Sequence, residues 1–112
     1  MGVKLSENNQ VRILRIEGDF TSEAAQQATA LLDRQCTGVK SLKLVADVSA
    51  CPYFDSQGLE TLLSIRRRCE ESTGRFMLAS VDANCRKILE ITRLESRFER
   101  ADDLESAFRS LR

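Results

Sequence analysis

The chain contains no histidine, and this absence removes several classes of enzyme. A Ser-His-Asp hydrolase uses a histidine as its general base, so no serine of this chain is that kind of nucleophile. Only a lysine remains to activate a serine, and no motif marks one. The sequence also lacks a phosphate-binding loop and paired catalytic carboxylates. We therefore expect a protein that is not an enzyme and that needs no cofactor.

Net charge and long apolar runs are absent as well. Lys and Arg total 17 and Asp and Glu total 17, so no net field attracts the chain to nucleic acid or to an anionic membrane. The three arginines 66–68 are spread around a helix by its period and lack interleaved aromatic residues, which favours a solvated face over nucleic-acid binding. No apolar run approaches the roughly 20 residues of a membrane span, and no signal-peptide stretch follows Met1. We expect no nucleic-acid partner, no direct membrane insertion and a cytoplasmic location.

The cysteines lack the spacing of a metal motif. Cys36, Cys51, Cys69 and Cys85 form no C-x-x-C pair, and no histidine is present to complete a tetrahedral zinc site. Convergence of the four thiolates in space is an alternative. Reduced structural cysteines are favoured over it, because free cysteine is among the most buried residue types. We expect no metal.

The 112 residues predict a single α/β domain over 1–112, with right-handed crossovers and a mixed sheet of four to five strands packed by about four helices. Two strands between Val3 and Glu17 are predicted to join around Asn8-Asn9, a pair that tolerates left-handed turn geometry. Short apolar runs predict further strands at 41–47 and 76–79, and Phe98 lies in a last one.

Helical spacing of apolar residues predicts four helices. The first begins after Thr21 or Ser22 and stops at Gly38, and the second runs from Ser56 to about Glu71. Asp82 is predicted to cap a short third helix. A capping box of Asp102 and Glu105 is predicted to open the last.

The residues with the clearest functional signal lie between the third strand and the second helix. The strand closes on Asp47, and residues 48–54 are predicted to cross irregularly, because Pro52 excludes helix for the residue before it. Asp55 or Ser56 then supplies the oxygen that caps the next helix. The sequence thus predicts a hydroxyl at a helix N-terminus, where first-turn amides and the helix dipole stabilise a phosphate.

These residues resemble the STAS domain family, and within it the stand-alone anti-sigma factor antagonists. The resemblance covers nearly the whole chain, and its Asp-Ser-x-Gly-Leu core is specific at this spacing from Asp47. The segments that carry it are Asp47-Val48-Ser49, Phe54-Asp55-Ser56-Gln57-Gly58-Leu59, Leu62-Leu63, Gly74 and Leu89 to Leu94.

The resemblance implies a switch at Ser56. In such antagonists the serine at this place is phosphorylated by a partner kinase. The unphosphorylated chain is then expected to bind an anti-sigma factor that is also a serine kinase, which frees sigma. Phosphorylation of Ser56 breaks that complex, and a metal-dependent serine phosphatase restores it. The predicted partner-binding residues of a monomer or weak dimer are Tyr53, Asp55, Ser56, Gln57, Gly58, Glu60, Thr61 and Ser64.

Several of these residues have a plainer interpretation. Ser56 alone is a common helix cap, and Asp55 either caps the helix or orients the hydroxyl. Gly58 costs up to about 1 kcal/mol against alanine in a helix, which indicates tight packing beneath the 52–54 loop or the close approach of a partner's backbone. Glu60 departs from the family, where a small residue is usual, and this puts the usual kinase partner in question.

A second hypothesis is a cytoplasmic accessory subunit of a membrane lipid transporter. STAS domains also dock on the ATPase subunits of such exporters, and Ser56 would then contact a partner without turning over phosphate. A ligand-sensing domain has less support, because no convergent polar pocket is evident in the sequence.

Overall fold

The computed structural model describes residues 2–111, which form one mixed sheet with helices on both faces. The strands are β1 (Gly2–Asn8), β2 (Val11–Glu17), β3 (Lys43–Ala50), β4 (Arg75–Ala79) and β5 (Glu99–Ala101). The helices are α1 (Ser22–Gln35), α2 (Ser56–Glu71), α3 (Ala83–Ile91) and α4 (Leu104–Leu111), with a short 3-10 helix at Glu95–Arg97. The α/β fold predicted from the sequence is confirmed.

The strands lie side by side in chain order, β1 antiparallel to β2 and all later neighbours parallel. The hairpin turns at Asn9 and Gln10, whose φ angles of 52° and 69° are left-handed. The turn therefore lies one residue later than the predicted Asn8-Asn9. Each parallel connection carries the chain over a face of the sheet in a helix, as parallel pairing requires.

Both faces of the central strands are buried. Leu44 and Ala46 of β3 belong to the large core beneath α1, α2 and α3, whereas Val45 between them packs with α4 on the other face. This explains why β3 and β4 appear in the sequence as continuous apolar runs, because a strand covered on both faces has no solvent-facing side.

Strand β3 is longer than predicted. It continues past Asp47 to Ala50, so the expectation that the strand ends at Asp47 and that 48–54 is irregular throughout is wrong. The extension pairs with β2 alone, because β4 pairs with β3 only as far as Asp47. Between Arg15 and Glu17 the register with β3 shifts, and Glu17 then pairs with Ala50. Ser41, predicted to start the strand, has a φ of 54° that extended structure does not allow.

The helix ends agree with the sequence in part. The prediction that Asp82 caps α3 is confirmed, since its Oδ1 accepts the Cys85 amide at 2.8 Å. The predicted Asp102–Glu105 capping box is wrong by one residue, because Asp103 Oδ1 accepts the Ser106 amide at 2.8 Å. Glu105 bonds instead to Arg109, one turn further along. The hydrogen bond that the Ser106 amide donates to Asp103 lowers the pKa of the Asp103 carboxyl group.

Candidate functional site

The loop that precedes α2 is held to the loop that follows β2. The Phe20 amide donates to the Tyr53 carbonyl at 2.9 Å, and the Asp55 amide donates to the Phe20 carbonyl at 3.4 Å. Phe20 and Phe54 form a bridge in the parallel sense, and both side chains are buried in the core. Because one strand-like contact and two buried rings fix this loop, the position where α2 begins is fixed as well.

Asp55 is the residue that caps α2. Its Oδ1 accepts the Gly58 amide at 2.8 Å, and its carbonyl accepts the Leu59 amide at 2.9 Å. Ser56 is therefore the first helical residue rather than the cap. The Ser56 side chain is exposed, and its hydroxyl makes no hydrogen bond to any residue between 2 and 111. The hydroxyl is thus free at the helix N-terminus.

Gly58 is buried under the backbone of Phe20. A Cβ added to Gly58 would lie 2.0 Å from the Phe20 carbonyl oxygen and 3.0 Å from a ring carbon of the same residue. Tight packing accounts for this glycine by itself, although the neighbour is Phe20 rather than the 52–54 loop. Gly58 adds no side chain to the surface around Ser56.

The other predicted contact residues lie on one surface. Gln57, Glu60 and Ser64 are exposed and follow Ser56 along one side of α2 at helical spacing. Tyr53 precedes them in the loop and is 43% exposed, whereas the Phe54 side chain is buried. Thr61 is half-buried and lines a shallow groove between α1 and α2.

A contact that the sequence does not reveal joins this loop to α3. Asn84 Nδ2 donates to the Pro52 carbonyl at 2.6 Å, and Cys85 Sγ lies 3.2 Å from the Cys51 carbonyl oxygen. These partners are more than 30 residues apart in the chain, and no spacing pattern connects them. The loop that precedes Ser56 is therefore held by α3 from one side and by Phe20 from the other.

The Asp47-Val48-Ser49 segment has a structural role at the same edge of the sheet. Asp47 is buried, and its two oxygens accept from Arg15 Nη1 at 2.7 Å and from the Ser49 amide at 3.1 Å. Arg15 Nε also bonds to Glu17 Oε2 at 3.1 Å, and this hydrogen bond lowers the pKa of Glu17. The three side chains tie β2 to β3 three residues before β3 ends at Ala50.

The four cysteines are free thiols, and all four are buried. Within residues 2–111 no three histidine, cysteine or carboxylate side chains come together as metal ligands would. Over the same residues, no helix combines the length and the apolar character that crossing a membrane requires.

The chain belongs to the STAS domain family. The model of that family, described as the STAS domain, matches residues 3–107. The match includes all of the strands except Gly2 of β1, and the first half of the last helix. The resemblance that begins at the Asp55-Ser56 core is therefore confirmed at the level of the family.

Solved structures of low sequence identity share the fold. A protein from Thermotoga maritima assigned as an anti-sigma factor antagonist is 20% identical, with a TM-score of 0.86 over 97% of this chain and 93% of that one. An anti-sigma factor antagonist (STAS) domain protein from Planctomyces limnophilus is 21% identical, with a TM-score of 0.80 over 100% and 99%. The Bacillus cell fate determinant SpoIIAA in its phosphorylated form is 20% identical, with a TM-score of 0.75 over 99% and 100%.

Proposed function

We propose that this protein is an anti-sigma factor antagonist that is switched by phosphorylation of Ser56. The unphosphorylated chain binds an anti-sigma factor with serine kinase activity in the cytoplasm, and this binding frees sigma. The kinase transfers a phosphoryl group to the Ser56 hydroxyl, the complex separates, and a serine phosphatase returns the chain to its binding form. The chain itself supplies no catalytic group in this cycle.

The observation that carries the proposal is the free, exposed Ser56 hydroxyl at the first position of α2. Because Asp55 provides the cap, the Ser56 side chain has no structural task that a phosphate would interrupt. The loop beneath it is held by Phe20 and Asn84 through backbone carbonyls, which phosphorylation leaves unchanged. Ser56 is therefore available to a kinase while the domain stays folded.

The charge of a phosphate at Ser56 would act outward. The Gly58 amide already donates to Asp55, so a phosphate cannot use that amide without displacing the carboxylate. Two unit charges about 5 Å apart at an effective dielectric of about 20 repel by roughly 3 kcal/mol, more than the roughly 0.3 to 2 kcal/mol that a helix end supplies. A phosphate therefore projects from the surface. A similar repulsion against a docked partner lowers its affinity roughly a hundredfold.

The proposed docking surface is the exposed side of the loop and of α2. Its members are Tyr53, Asp55, Ser56, Gln57, Glu60, Thr61 and Ser64. Glu60 stands one turn beyond Ser56 on this surface, and its charge requires a partner that tolerates or pairs with a carboxylate there. We therefore expect Glu60 to contribute to the choice of partner.

The proposal is tested by pull-down from the native lysate with wild type, Ser56→Ala and Ser56→Asp. We expect wild type and Ser56→Ala to capture an anti-sigma factor with a kinase domain, and Ser56→Asp to bind it about a hundredfold more weakly. Ser6→Asp is the matched control, because it adds the same charge at an exposed position on β1.

Incubation of the captured kinase with ATP provides the second readout. Wild type gains one phosphate at Ser56, whereas Ser56→Ala gains none. Equal binding by wild type and Ser56→Asp contradicts the switch. Capture of a transporter ATPase in place of a kinase contradicts the antagonist assignment and favours the accessory-subunit hypothesis.

A further inference from the structure

A single hydrogen bond fixes the peptide group between Pro52 and Tyr53. Asn84 Nδ2, in the first turn of α3, donates to the Pro52 carbonyl at 2.6 Å across 32 residues of chain. Proline has no amide hydrogen to donate, and the Tyr53 amide donates to no residue between 2 and 111. The orientation of this peptide group therefore depends on Asn84.

The chemistry of the two groups decides which atom of Asn84 makes the contact. A carbonyl only accepts hydrogen bonds, so the side-chain nitrogen faces Pro52. Aspartate has nearly the same size but two acceptor oxygens, and it cannot replace this donor. Asn84 and Pro52 are both exposed, so loss of the bond leaves no buried polar group unpaired. The bond thus orients the loop without being required for the stability of the domain.

Tyr53 is the side chain that this peptide group presents. It is 43% exposed, and among the large apolar side chains of residues 2–111 only Tyr53 and Ile91 are exposed. The Tyr53 hydroxyl makes no hydrogen bond to any residue in that range. The direction of the ring therefore depends on the backbone that Asn84 holds. Tyrosine is enriched among the few interface residues that supply most of the binding energy, because its ring is large and rigid.

We propose that Asn84 is a positioning residue, which holds the Pro52–Tyr53 peptide so that Tyr53 is presented as the aromatic anchor of the docking surface beside Ser56. This inference rests on the proposed function, since the anti-sigma factor is the partner that Tyr53 contacts. Asn84 acts through Tyr53 and does not itself touch the partner. A ring that is already held in its binding position loses less freedom when the partner docks, and this raises the affinity.

The first test needs no partner. Tyr53 is the only tyrosine of the chain, and the chain has no tryptophan, so tyrosine fluorescence reports on this residue alone. We expect Asn84→Ala and Asn84→Asp to lower the fluorescence anisotropy of Tyr53, because the ring gains motion when the loop is released. Asn84→Asp also places a carboxylate in the first turn of α3, which favours the helix, so its thermal stability should not fall.

Arg86→Ala is the matched control for these variants. Arg86 lies in the same helix, but its side chain lines a groove with residues of β5. This side chain makes no hydrogen bond to any residue between 2 and 111. The anisotropy of Tyr53 in Arg86→Ala should therefore equal that of wild type.

A double-mutant cycle with the captured kinase measures whether Asn84 acts through Tyr53. We expect Tyr53→Ala to weaken binding by about tenfold or more, and Asn84→Ala to weaken it roughly 2- to 10-fold. In the double variant the loss should equal that of Tyr53→Ala alone, because no ring is left to position. A residue that contacts the partner directly, or that only supports the fold, would add its own loss to that of Tyr53→Ala.

The proposal is overturned if the anisotropy is unchanged in both Asn84 variants, if Tyr53→Ala binds as tightly as wild type, or if the two losses add. A cycle that is additive while Ser56→Asp still abolishes binding would remove the role of Asn84 and leave the proposed function intact. Capture of a transporter ATPase in place of the kinase would contradict the proposed function, and the same cycle with that subunit would then decide the role of Asn84. If no partner is captured, both proposals fail.

Discussion

The carbonyl oxygen of Phe20 occupies the space in which a Cβ of residue 58 would lie, 2.0 Å from its ideal position. Gly58 therefore allows the first turn of α2 to approach the loop after β2 closely enough for the Asp55 amide to meet the same Phe20 carbonyl. The Phe20 carbonyl oxygen leaves no space for a side chain at residue 58, and it also accepts a hydrogen bond from the amide of residue 55. The position of Ser56 between them depends on this close approach.

Replacement of Gly58 should lower the stability of the fold, although glycine is less favourable than alanine within a helix. Gly58→Ala gains up to about 1 kcal/mol from helix propensity, but the clash with a backbone oxygen forces the loop or the helix to move, at a typical cost of about 1–3 kcal/mol or more. We expect a lower free energy of unfolding in urea. Ser64→Ala, on the exposed side of the same helix, is the control and should leave stability within about 0.5 kcal/mol of wild type. A Gly58→Ala protein as stable as wild type would contradict the packing explanation.

Asp55 should contribute to stability as a helix cap. Asp55→Ala removes the acceptor of the Gly58 amide and should cost about 1 kcal/mol, whereas Asp55→Asn keeps an acceptor at the same place and should cost less. Thermal unfolding measures both, and a change of 1 kcal/mol corresponds to roughly 4–8 °C in a domain of about this size. Equal losses for the two variants would show that the charge, not the cap, is the important property of Asp55.

Asp47 and Asp33 each pair with an arginine, but burial distinguishes them. Asp47 is 7% exposed and also accepts the Ser49 amide, while the Asp33 side chain in its pair with Arg68 is 59% exposed. Asp47→Ala leaves that amide without its acceptor and should cost about 1–3 kcal/mol. Asp33→Ala should change stability by less than about 1 kcal/mol. Urea denaturation of both variants tests the difference. Similar losses of unfolding free energy would mean that burial does not determine how much each carboxylate contributes to stability.

Asp103 should make the last helix sensitive to acid. Its pKa in the folded chain is below the ordinary value of 3.8 because the Ser106 amide donates to the carboxylate. The stabilisation is therefore present above the unfolded pKa and is lost as the pH falls through the folded pKa. We expect Asp103→Ala to be less stable than wild type at pH 7, with a difference that shrinks below about pH 4.

The neighbouring Asp102→Ala variant is the control for this helix cap. The Asp102 carboxylate accepts no hydrogen bond from any residue between 2 and 111, so this variant should follow wild type across the same pH range. If Asp102→Ala, and not Asp103→Ala, removes the acid dependence, the capping residue has been assigned incorrectly.

The amino-acid sequence by itself determined the order of strands and helices and the place where α2 begins. The continuous apolar runs of β3 and β4 and the helical spacing after Ser56 are local patterns, and local patterns can be read without the fold. The cap on α3 was predicted from Asp82 alone for the same reason. The strand end predicted at Asp47 and the cap predicted at Asp102 were wrong, because strand length depends on the neighbouring strand and two adjacent aspartates can each cap a helix.

Only the tertiary structure decided which residues surround Ser56. Phe20, Asn84 and Cys85 approach its loop from distant parts of the chain, and their contacts arise from the packing of two loops and a helix at one edge of the sheet. Such contacts leave no periodic signal, since each depends on distances fixed by the whole fold. The choice between Asp55 and Ser56 as the cap, and the reason for Gly58, were settled by the same packing, because both depend on where the Phe20 carbonyl lies.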